Sequence, residues 1–206
     1  DLRAAENALV SVGSREPDLS RIGQPIVQAY RANSGSEEVQ AMLIRIIGRL
    51  GASSGLDDLT KALKHNSSKL RASAASALGE WRNAEPVSAL EEFVRTEKDP
   101  FLRVDAITSL GNLAALSSDT PQDEIAEDLL AAYQLTKNSR EQQALLTALA
   151  RIAHPKVAAF FEERAKDPRQ RQQAEAAVKS INATLARITE VTDAATLVAT
   201  QAELTP

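Results

Sequence analysis

Histidine is the side chain whose charge changes closest to neutral pH, so it is the first candidate for acid–base catalysis or metal binding. The chain contains two, His65 and His154. They are followed by Asn66 and Pro155, so neither forms a His-Glu pair, and a metal ion needs several ligands that converge. We therefore predict no metal site and no cofactor. We interpret His65 as a surface residue near a helix C-terminus.

Adjacent carboxylates are the other candidates for chemistry, and they occur at Glu91-Glu92 and Glu162-Glu163. Neighbouring residues on a helix point about 100° apart, so such a pair does not converge on one substrate atom. The sequence also has no Gly-rich phosphate-binding loop and no G-x-S-x-G nucleophile elbow. These observations predict a non-enzymatic protein whose paired glutamates lie on a solvated outer face.

A repeated pattern determines where the other side chains lie. Arginine is followed three and six residues later by small residues, and then by Leu-Gly-x-apolar. One copy runs from Arg71 to Trp81 and the other from Arg103 to Leu113. The leucine position can be followed through the whole chain in steps of about 30–39 residues, at Leu9, Ile47, Leu78, Leu110, Leu149 and Val178.

Each of these positions belongs to a stripe along one side of a 3.6-residue helix, which we predict to face the core. The stripe consists of the position itself and the residues four before it, one before it and three after it. Trp81 falls on this stripe, so we interpret it as a core residue. Strand signals such as sustained alternation are absent. A further amphipathic helix precedes each stripe after the first, so the unit is a helical hairpin; these partner helices are predicted at residues 19–32, 55–65, 85–96, 121–135 and 155–166.

Capping residues support these boundaries. Asp99-Pro100, Thr120-Pro121 and Asp167-Pro168 each place a capping side chain before a proline that suits the first helical position. The segment from Ser139 to Gln142 has the composition of a capping box, with Ser139 as the predicted cap.

The pattern resembles HEAT repeats, in particular the short HEAT-like repeats of phycobilisome lyases, over about residues 1–188. The resemblance rests on Asp-Pro-x-x-Arg before two of the second helices and on Arg-x-x-Ala-x-x-Ala-Leu-Gly within another. It implies an all-α fold, a right-handed α-solenoid of stacked hairpins similar to the HEAT and armadillo superhelices. It also implies structural roles, with guanidinium groups bonded to an acid or the backbone of a neighbouring loop, for Arg71, Asp99, Arg103, Asp167 and Arg171.

The helix face opposite the core stripe is poor in charge. Of the positions that we assign to it, only Arg3, Arg45 and Lys179 are charged, and none is aromatic. A phosphate-binding groove needs several cations in a row, and the net charge of the chain is −4, so we predict that nucleic acid is not a partner. No apolar run approaches the roughly 18 residues of a membrane span, so a membrane is not predicted either.

Small residues dominate this face, and stacking of the repeats would align them into a ridge. The backbone or a helix of another protein could approach such a ridge closely. We therefore predict that it binds a protein or peptide, with specificity from flanking charges; the ridge is Ser76, Gly79, Thr108, Gly111 and Thr147, and the flanking residues are Arg45, Asp105 and Lys179.

An acidic belt is the most unusual surface feature that the sequence shows. No basic residue lies between Val104 and Thr136, whereas six acids do. The belt could dock a basic partner, although acids are also common at helix N-termini; its members are Asp105, Asp119, Asp123, Glu124, Glu127 and Asp128.

Composition agrees with a helical array. Aromatic residues make up 3% of the chain and apolar residues 43%, so alanine and leucine carry the core, which suits closely packed helices. Cysteine is absent, which excludes disulfides and thiolate metal sites.

The two ends of the chain differ from its middle. Leu2–Val12 resembles a second helix without its first, so we expect the solenoid or another domain to precede it. Residues 1–190 are the predicted solenoid of about five hairpins plus a leading helix. Residues 191–206 contain no basic residue, and we interpret them as a linker or the start of a following module, with a strand-prone piece at residues 196–200.

The leading functional hypothesis is a non-enzymatic interaction or scaffolding domain of a larger protein. The alternatives are an accessory repeat domain of an enzyme, lyase-like or DNA-glycosylase-like, and a spacer between modules. A cluster of His and Glu or of Arg and Trp on the inner face would favour the enzyme, and the sequence shows none.

Overall fold

The computed structural model describes residues 2–16, 18, 20–116 and 122–203, with backbone only for Ser20 and residues 193–203. This part of the chain contains α-helices and one short 3-10 turn at Ser53–Gly55, and no strand. The prediction of an all-α solenoid is confirmed. In chain order the helices are α1 Leu2–Gly13, α2 Ser20–Ala32, α3 Glu37–Leu50, α4 Leu56–Ala62, α5 Ser68–Leu78, α6 Val87–Thr96, α7 Pro100–Ala114, α8 Gln122–Leu135, α9 Ser139–Leu149, α10 Pro155–Arg164 and α11 Arg171–Glu203.

The helices after α1 pair into five hairpins, α2–α3, α4–α5, α6–α7, α8–α9 and α10–α11. The second helices α3, α5, α7 and α9 stack on one another in that order, and α1 stacks on α3. The first helices form the other layer, in which α8 contacts both α6 and α10. The last helix departs from the pattern, because α11 has its main contacts with α10.

The core lies between the two layers, on the predicted stripe of the second helices. Leu78 and Leu110 are fully buried, and so are the residues four before them, Ala74 and Ala106. Trp81 is 3% exposed, which confirms it as a core residue. The stripe is buried in the same way in α3 and α9, and in α11 it is buried except for Val178, which is half-buried. Its register is therefore confirmed for every second helix from α3 onward.

The register predicted for α1 is wrong. Leu9 and Val12, which the pattern placed in the core, are 40% and 64% exposed. The buried side of α1 consists instead of Glu6, Val10 and Gly13. It faces α3, where an added Cβ at Gly13 would lie 2.8 Å from Leu50 Cδ2. Packing against α3, together with the ion pair of Glu6 described below, therefore determines the orientation of α1.

Side-chain caps define several helix starts. Ser36 accepts a hydrogen bond from the Val39 N–H at the start of α3, and Asp99 accepts one from Phe101 at the start of α7. The cap of α9 is Asn138, which accepts from the N–H groups of Arg140 and Glu141, so the predicted cap at Ser139 is wrong by one residue. An asparagine fits this position because its short amide reaches two free N–H groups.

The end of α3 has the only positive φ angle in the described part of the chain. Gly51 adopts φ 62° and donates its N–H to the carbonyl of Gly48, while Ala52 donates to Ile47. These two bonds satisfy carbonyl groups that the end of the helix would otherwise leave unpaired, and they need a left-handed residue that glycine provides without strain.

The C-terminal helix is longer than predicted. Helix α11 continues through residues 196–200 to Glu203, so the strand suggested there is wrong. The predicted start of the fourth partner helix at Thr120-Pro121 lies outside the described residues. No helix in the described ranges is both long enough and apolar enough to span a membrane.

Candidate interaction surface

The exposed side of the second helices α3, α5, α7 and α9, called here the second-helix face, is a surface to which successive repeats contribute. Ser76 of α5, Thr108 of α7 and Thr147 of α9 are exposed on it. These three helices are consecutive neighbours in the stack. Small residues therefore follow one another across three repeats without a bulky charge between them.

Gly79 and Gly111 were predicted to belong to this exposed row, and the structure contradicts that. Both are buried. A Cβ added at Gly79 would lie 2.7 Å from Ser109 Cα, and one added at Gly111 would lie 2.8 Å from Ala148 Cα. The position after the leucine is thus where α5 touches α7 and where α7 touches α9, and glycine is required there for close approach. A charged side chain at Gly79 would disrupt the stack itself.

The hydroxyl groups of the row are partly engaged. Thr108 Oγ1 donates to the carbonyl of Val104 at 2.9 Å, and Thr147 Oγ1 donates to that of Gln143 at 2.9 Å. Such bonds to the preceding turn leave the threonine methyl group and the oxygen lone pairs at the surface. A partner would therefore meet a shallow surface that accepts hydrogen bonds and offers apolar contact.

Arginines connect the repeats beside the core. Arg71 Nε donates to Glu97 at 2.7 Å, and its Nη1 donates to the carbonyls of His65 and Asn66. Arg103 Nε donates to Glu141 at 3.0 Å, and its Nη1 donates to the carbonyl of Val94. Each guanidinium thus ties the start of a second helix to a loop or helix of a neighbouring hairpin, which supports a structural role.

The third predicted structural arginine has a weaker setting. Arg171 is exposed, and its Nε donates to the carbonyl of Ala165 at 3.3 Å. Asp167, before it, accepts from the Arg169 N–H at 2.9 Å, as Asp99 does from Phe101. The local turn is therefore repeated, whereas no acid bonded to Arg171 is found in the described part of the chain.

The flanking residue Arg45 is held by an acid that the sequence did not identify. It forms a two-pronged pair with Glu6 of α1, with Nη2 2.7 Å from Oε2 and Nε 3.2 Å from Oε1. Glu6 is buried, and Arg49 lies one turn further along α3, with Nη1 3.7 Å from Glu6 Oε1. Of the other flanking residues, Asp105 and Lys179 are exposed on α7 and α11.

An aromatic residue on this surface was missed. Phe101 is 61% exposed, and the guanidinium of Arg140 lies 5.0 Å from its ring centroid. The two occupy equivalent positions of α7 and α9, nine residues before Leu110 and Leu149. The same positions of α3 and α5 hold Glu38 and Lys69, which are paired at 2.8 Å. Extending the repeat alignment to the first turn of each helix would have shown this.

The repeat pattern is also recognised by comparison with known families. The family model for HEAT repeats matches residues 24–111. This segment is therefore similar to HEAT repeats. The match runs from within α2 into α7, so it includes the first copy of the Leu-Gly pattern, the second copy as far as Gly111, and both of the bonded arginines described above. The resemblance predicted from the sequence is confirmed.

Solved structures extend the likeness in fold over most of the chain. An engineered protein is 18% identical, with a TM-score of 0.51 over 89% of this chain and 92% of that chain. A designed armadillo repeat protein in complex with the peptide (KR)4 is 17% identical, with a TM-score of 0.57 over 87% of this chain and 92% of that chain. At these identities the likeness shows the fold. No curated protein sequence matches the chain.

The two histidines act as local hydrogen-bond acceptors. His154 caps α10, with Nδ1 accepting from the Lys156 N–H, and its Nε2 lies 3.0 Å from Asp123 Oδ1. His65 Nδ1 accepts from the Ser67 N–H at 3.0 Å in the turn before α5. Over the described residues, no three His, Asp or Glu side chains come together as a metal site would require.

The acidic belt is partly neutralised by neighbouring hairpins. Asp123 contacts His154, Glu127 bonds to Lys156, and Asp128 lies 4.0 Å from Arg95. Asp119 lies outside the described residues. The belt therefore offers a basic partner less free charge than its sequence suggested.

A cleft of about 700 Å³ opens between α6 and α8 in the layer of first helices. Val94, Leu110 and Leu129 form its apolar floor, and Glu91 and Asp128 lie on its wall. Glu91 is half-buried, so the prediction of a fully solvated glutamate is wrong here. Its Oε1 is buried and has no hydrogen-bond partner among the described residues.

Glu91 is expected to destabilise the protein at neutral pH. Burial raises the pKa of Glu91, repulsion from Asp128 and Glu124 raises it further, and Arg95 partly opposes the shift. A raised folded-state pKa means that the carboxyl group favours folding at low pH and loses that contribution as pH rises through the folded pKa. Glu91→Gln should therefore raise the melting temperature at pH 7 and change it little at pH 3.5, measured by thermal circular dichroism.

The exposed neighbour Glu92 supplies the control. Glu92→Gln removes a carboxylate that pairs with Lys64 at the surface, so it should leave the melting temperature at pH 7 unchanged or slightly lower. Equal increases for both variants would show that general charge reduction, and not the environment of Glu91, determines the effect.

Proposed function

We propose that the protein is a non-enzymatic interaction module that binds a protein or peptide on the second-helix face. The observation that carries the proposal is the row of Ser76, Thr108 and Thr147, exposed on three consecutive stacked helices. Two threonine hydroxyl groups in this row donate within their own helices, so no group of the row is poised to transfer a proton.

The geometry of the stack supports binding of an extended or helical segment. Neighbouring helices pack about 8–10 Å apart, so the row offers one contact per repeat at a regular spacing. The designed armadillo repeat protein of similar fold has a peptide bound to it. We propose that this chain uses its repeats in the same general way, with a sequence preference set by its own flanking charges.

The first test is a pair of tryptophan substitutions on opposite layers. Peptides selected against the immobilised protein from a random display library would serve as probes. Thr108→Trp fills the row and should weaken binding of these peptides at least about tenfold, because a ring there blocks close approach. The melting temperature should remain near that of the wild type, since Thr108 is exposed.

Glu162→Trp is the matched control, because Glu162 is exposed on α10 in the layer of first helices. It should leave peptide affinity unchanged. If Glu162→Trp weakens binding and Thr108→Trp does not, the partner binds the first helices and the proposed face is wrong. If the library yields no binder, the interaction role itself is contradicted.

A further inference from the structure

A cluster of arginines lies at the α1 end of the second-helix face. Arg45 and Arg49 of α3 share the carboxylate of Glu6, whose side chain is 10% exposed. Arg49 Nη1 also donates to Asn7 Oδ1 at 3.3 Å. The guanidinium groups themselves reach the surface, with side-chain exposures of 41% for Arg45 and 37% for Arg49. Together with Arg3 these residues line a polar depression of about 570 Å³.

Two guanidinium groups of this depression, those of Arg45 and Arg49, share the single carboxylate of Glu6. Glu6 bonds to the Nε and Nη2 atoms of Arg45, and Nη1 of Arg45 and Nη2 of Arg49 have no hydrogen-bond partner among the described residues. Glu6 and Asn7 hold the two guanidinium groups in place. Guanidinium N–H groups held in this way suit the oxygens of a second, external carboxylate.

We propose that Arg45 and Arg49 receive the carboxylate of an acidic residue in a peptide or protein partner bound along the second-helix face. The inference rests on the proposed function and specifies the chemistry of the partner. The face beyond the cluster continues through the small residues Ser76 and Thr108, which suit a polypeptide. A nucleic acid would need further cations in a row at that place.

The test uses labelled peptides of defined charge and the full chain. An alternating Glu-Ser peptide carrying a rhodamine label is titrated at low ionic strength and followed by fluorescence anisotropy, with an alternating Gln-Ser peptide of equal length as the uncharged reference. The Glu-Ser peptide should bind detectably more tightly. Arg45→Gln and Arg49→Gln should each weaken its binding roughly fivefold, as expected for loss of one charge-assisted bond at a half-exposed site.

Arg31→Gln is the matched control. Arg31 forms a similar two-pronged pair with Asp58, with Nη2 2.7 Å from Oδ2, but it lies between α2 and α4 and away from the second-helix face. It should bind the Glu-Ser peptide like the wild type. Arg49→Gln leaves the Glu6–Arg45 pair intact, so it tests the site even if Arg45→Gln lowers stability, which thermal circular dichroism would show.

Each other outcome contradicts the inference in a distinct way. Equal affinity for the Gln-Ser peptide, or equal loss in all three arginine variants, would show that the cluster does not select a carboxylate. Competition by inorganic phosphate at similar concentrations would show a general anion site, and tighter, Arg45-dependent binding of duplex DNA would show a nucleic-acid interface. If Thr108→Trp abolishes peptide binding while Arg45→Gln and Arg49→Gln have no effect, the inference falls and the proposed function stands. If none of the three variants has an effect, both fall.

Discussion

Arg103→Met is expected to lower the free energy of unfolding by about 3 kcal/mol, because it leaves a buried carboxylate without its cation. Glu141 is 5% exposed, and Arg103 Nε lies 3.0 Å from its Oε1. Methionine keeps much of the apolar volume of the arginine stem. The decrease in the free energy of unfolding would therefore measure the loss of the ion pair and of the bond to the Val94 carbonyl. Thr136 would remain as a donor to Glu141, at 2.7 Å, but a hydroxyl group does not neutralise the charge.

Urea denaturation followed by circular dichroism would measure this effect, and Arg171→Met is its control. Arg171 is exposed, with a single 3.3 Å bond to the carbonyl of Ala165, so its loss should cost less than about 1 kcal/mol. A double variant, Arg103→Met with Glu141→Met, should recover part of the stability, since no buried charge then remains. If Arg103→Met and Arg171→Met cost the same, the arginines contribute through the repeat turn and not through the ion pair.

The solenoid could be predicted from the sequence because its information is local and repeated. Each second helix carries the same stripe, so an error in one repeat is corrected by the others, and the buried set of α3 through α11 follows from Leu78 and Leu110 alone. The first helices are amphipathic over their own lengths. Their described starts and ends lie within a few residues of the predicted ones.

The register of α1 could not be predicted because two apolar patterns compete in it. Leu9 and Val12 fit the repeat, whereas Val10 and Gly13 fit the packing that the structure has. The choice depends on the pair between Glu6 and Arg45, which lie 39 residues apart in sequence. The apolar pattern within a twelve-residue helix carries no information about a contact with a residue so far away in the sequence. The Arg45–Arg49 cluster was missed for the same reason, although Arg45 itself was singled out.

Three of the five predicted ridge residues are exposed and two are buried, and the reason for this difference is geometric. Periodicity gives the direction of a side chain around its own helix, and it placed Ser76, Thr108 and Thr147 on the exposed side, where the structure has them. It does not give the distance to the next helix. Gly79 and Gly111 point toward that neighbour, and the close approach that glycine permits is what buries them. Binding at the row itself stays a prediction.

Leu110→Ala is expected to lower the free energy of unfolding by about 2–5 kcal/mol, and Leu78→Ala by a similar amount, because each leaves a cavity between packed helices. Both leucines are at most 1% exposed. Helix α7 contacts α5, α6, α8 and α9, so the cavity at Leu110 lies at the centre of the array. In a stack where each repeat contacts only its neighbours, weakening a central interface also reduces cooperativity. The urea dependence of Leu110→Ala should therefore be shallower than that of the wild type.

Thr108→Ala, two residues away on the same helix, is the control for the cavity. Thr108 is exposed, and alanine has a higher helix propensity than threonine, which offsets the lost bond to the Val104 carbonyl. Its free energy of unfolding should stay within about 0.5 kcal/mol of the wild type. Comparable losses for Thr108→Ala and Leu110→Ala would mean that the exposed row is packed against other atoms, and the second-helix face would then not be available to a partner.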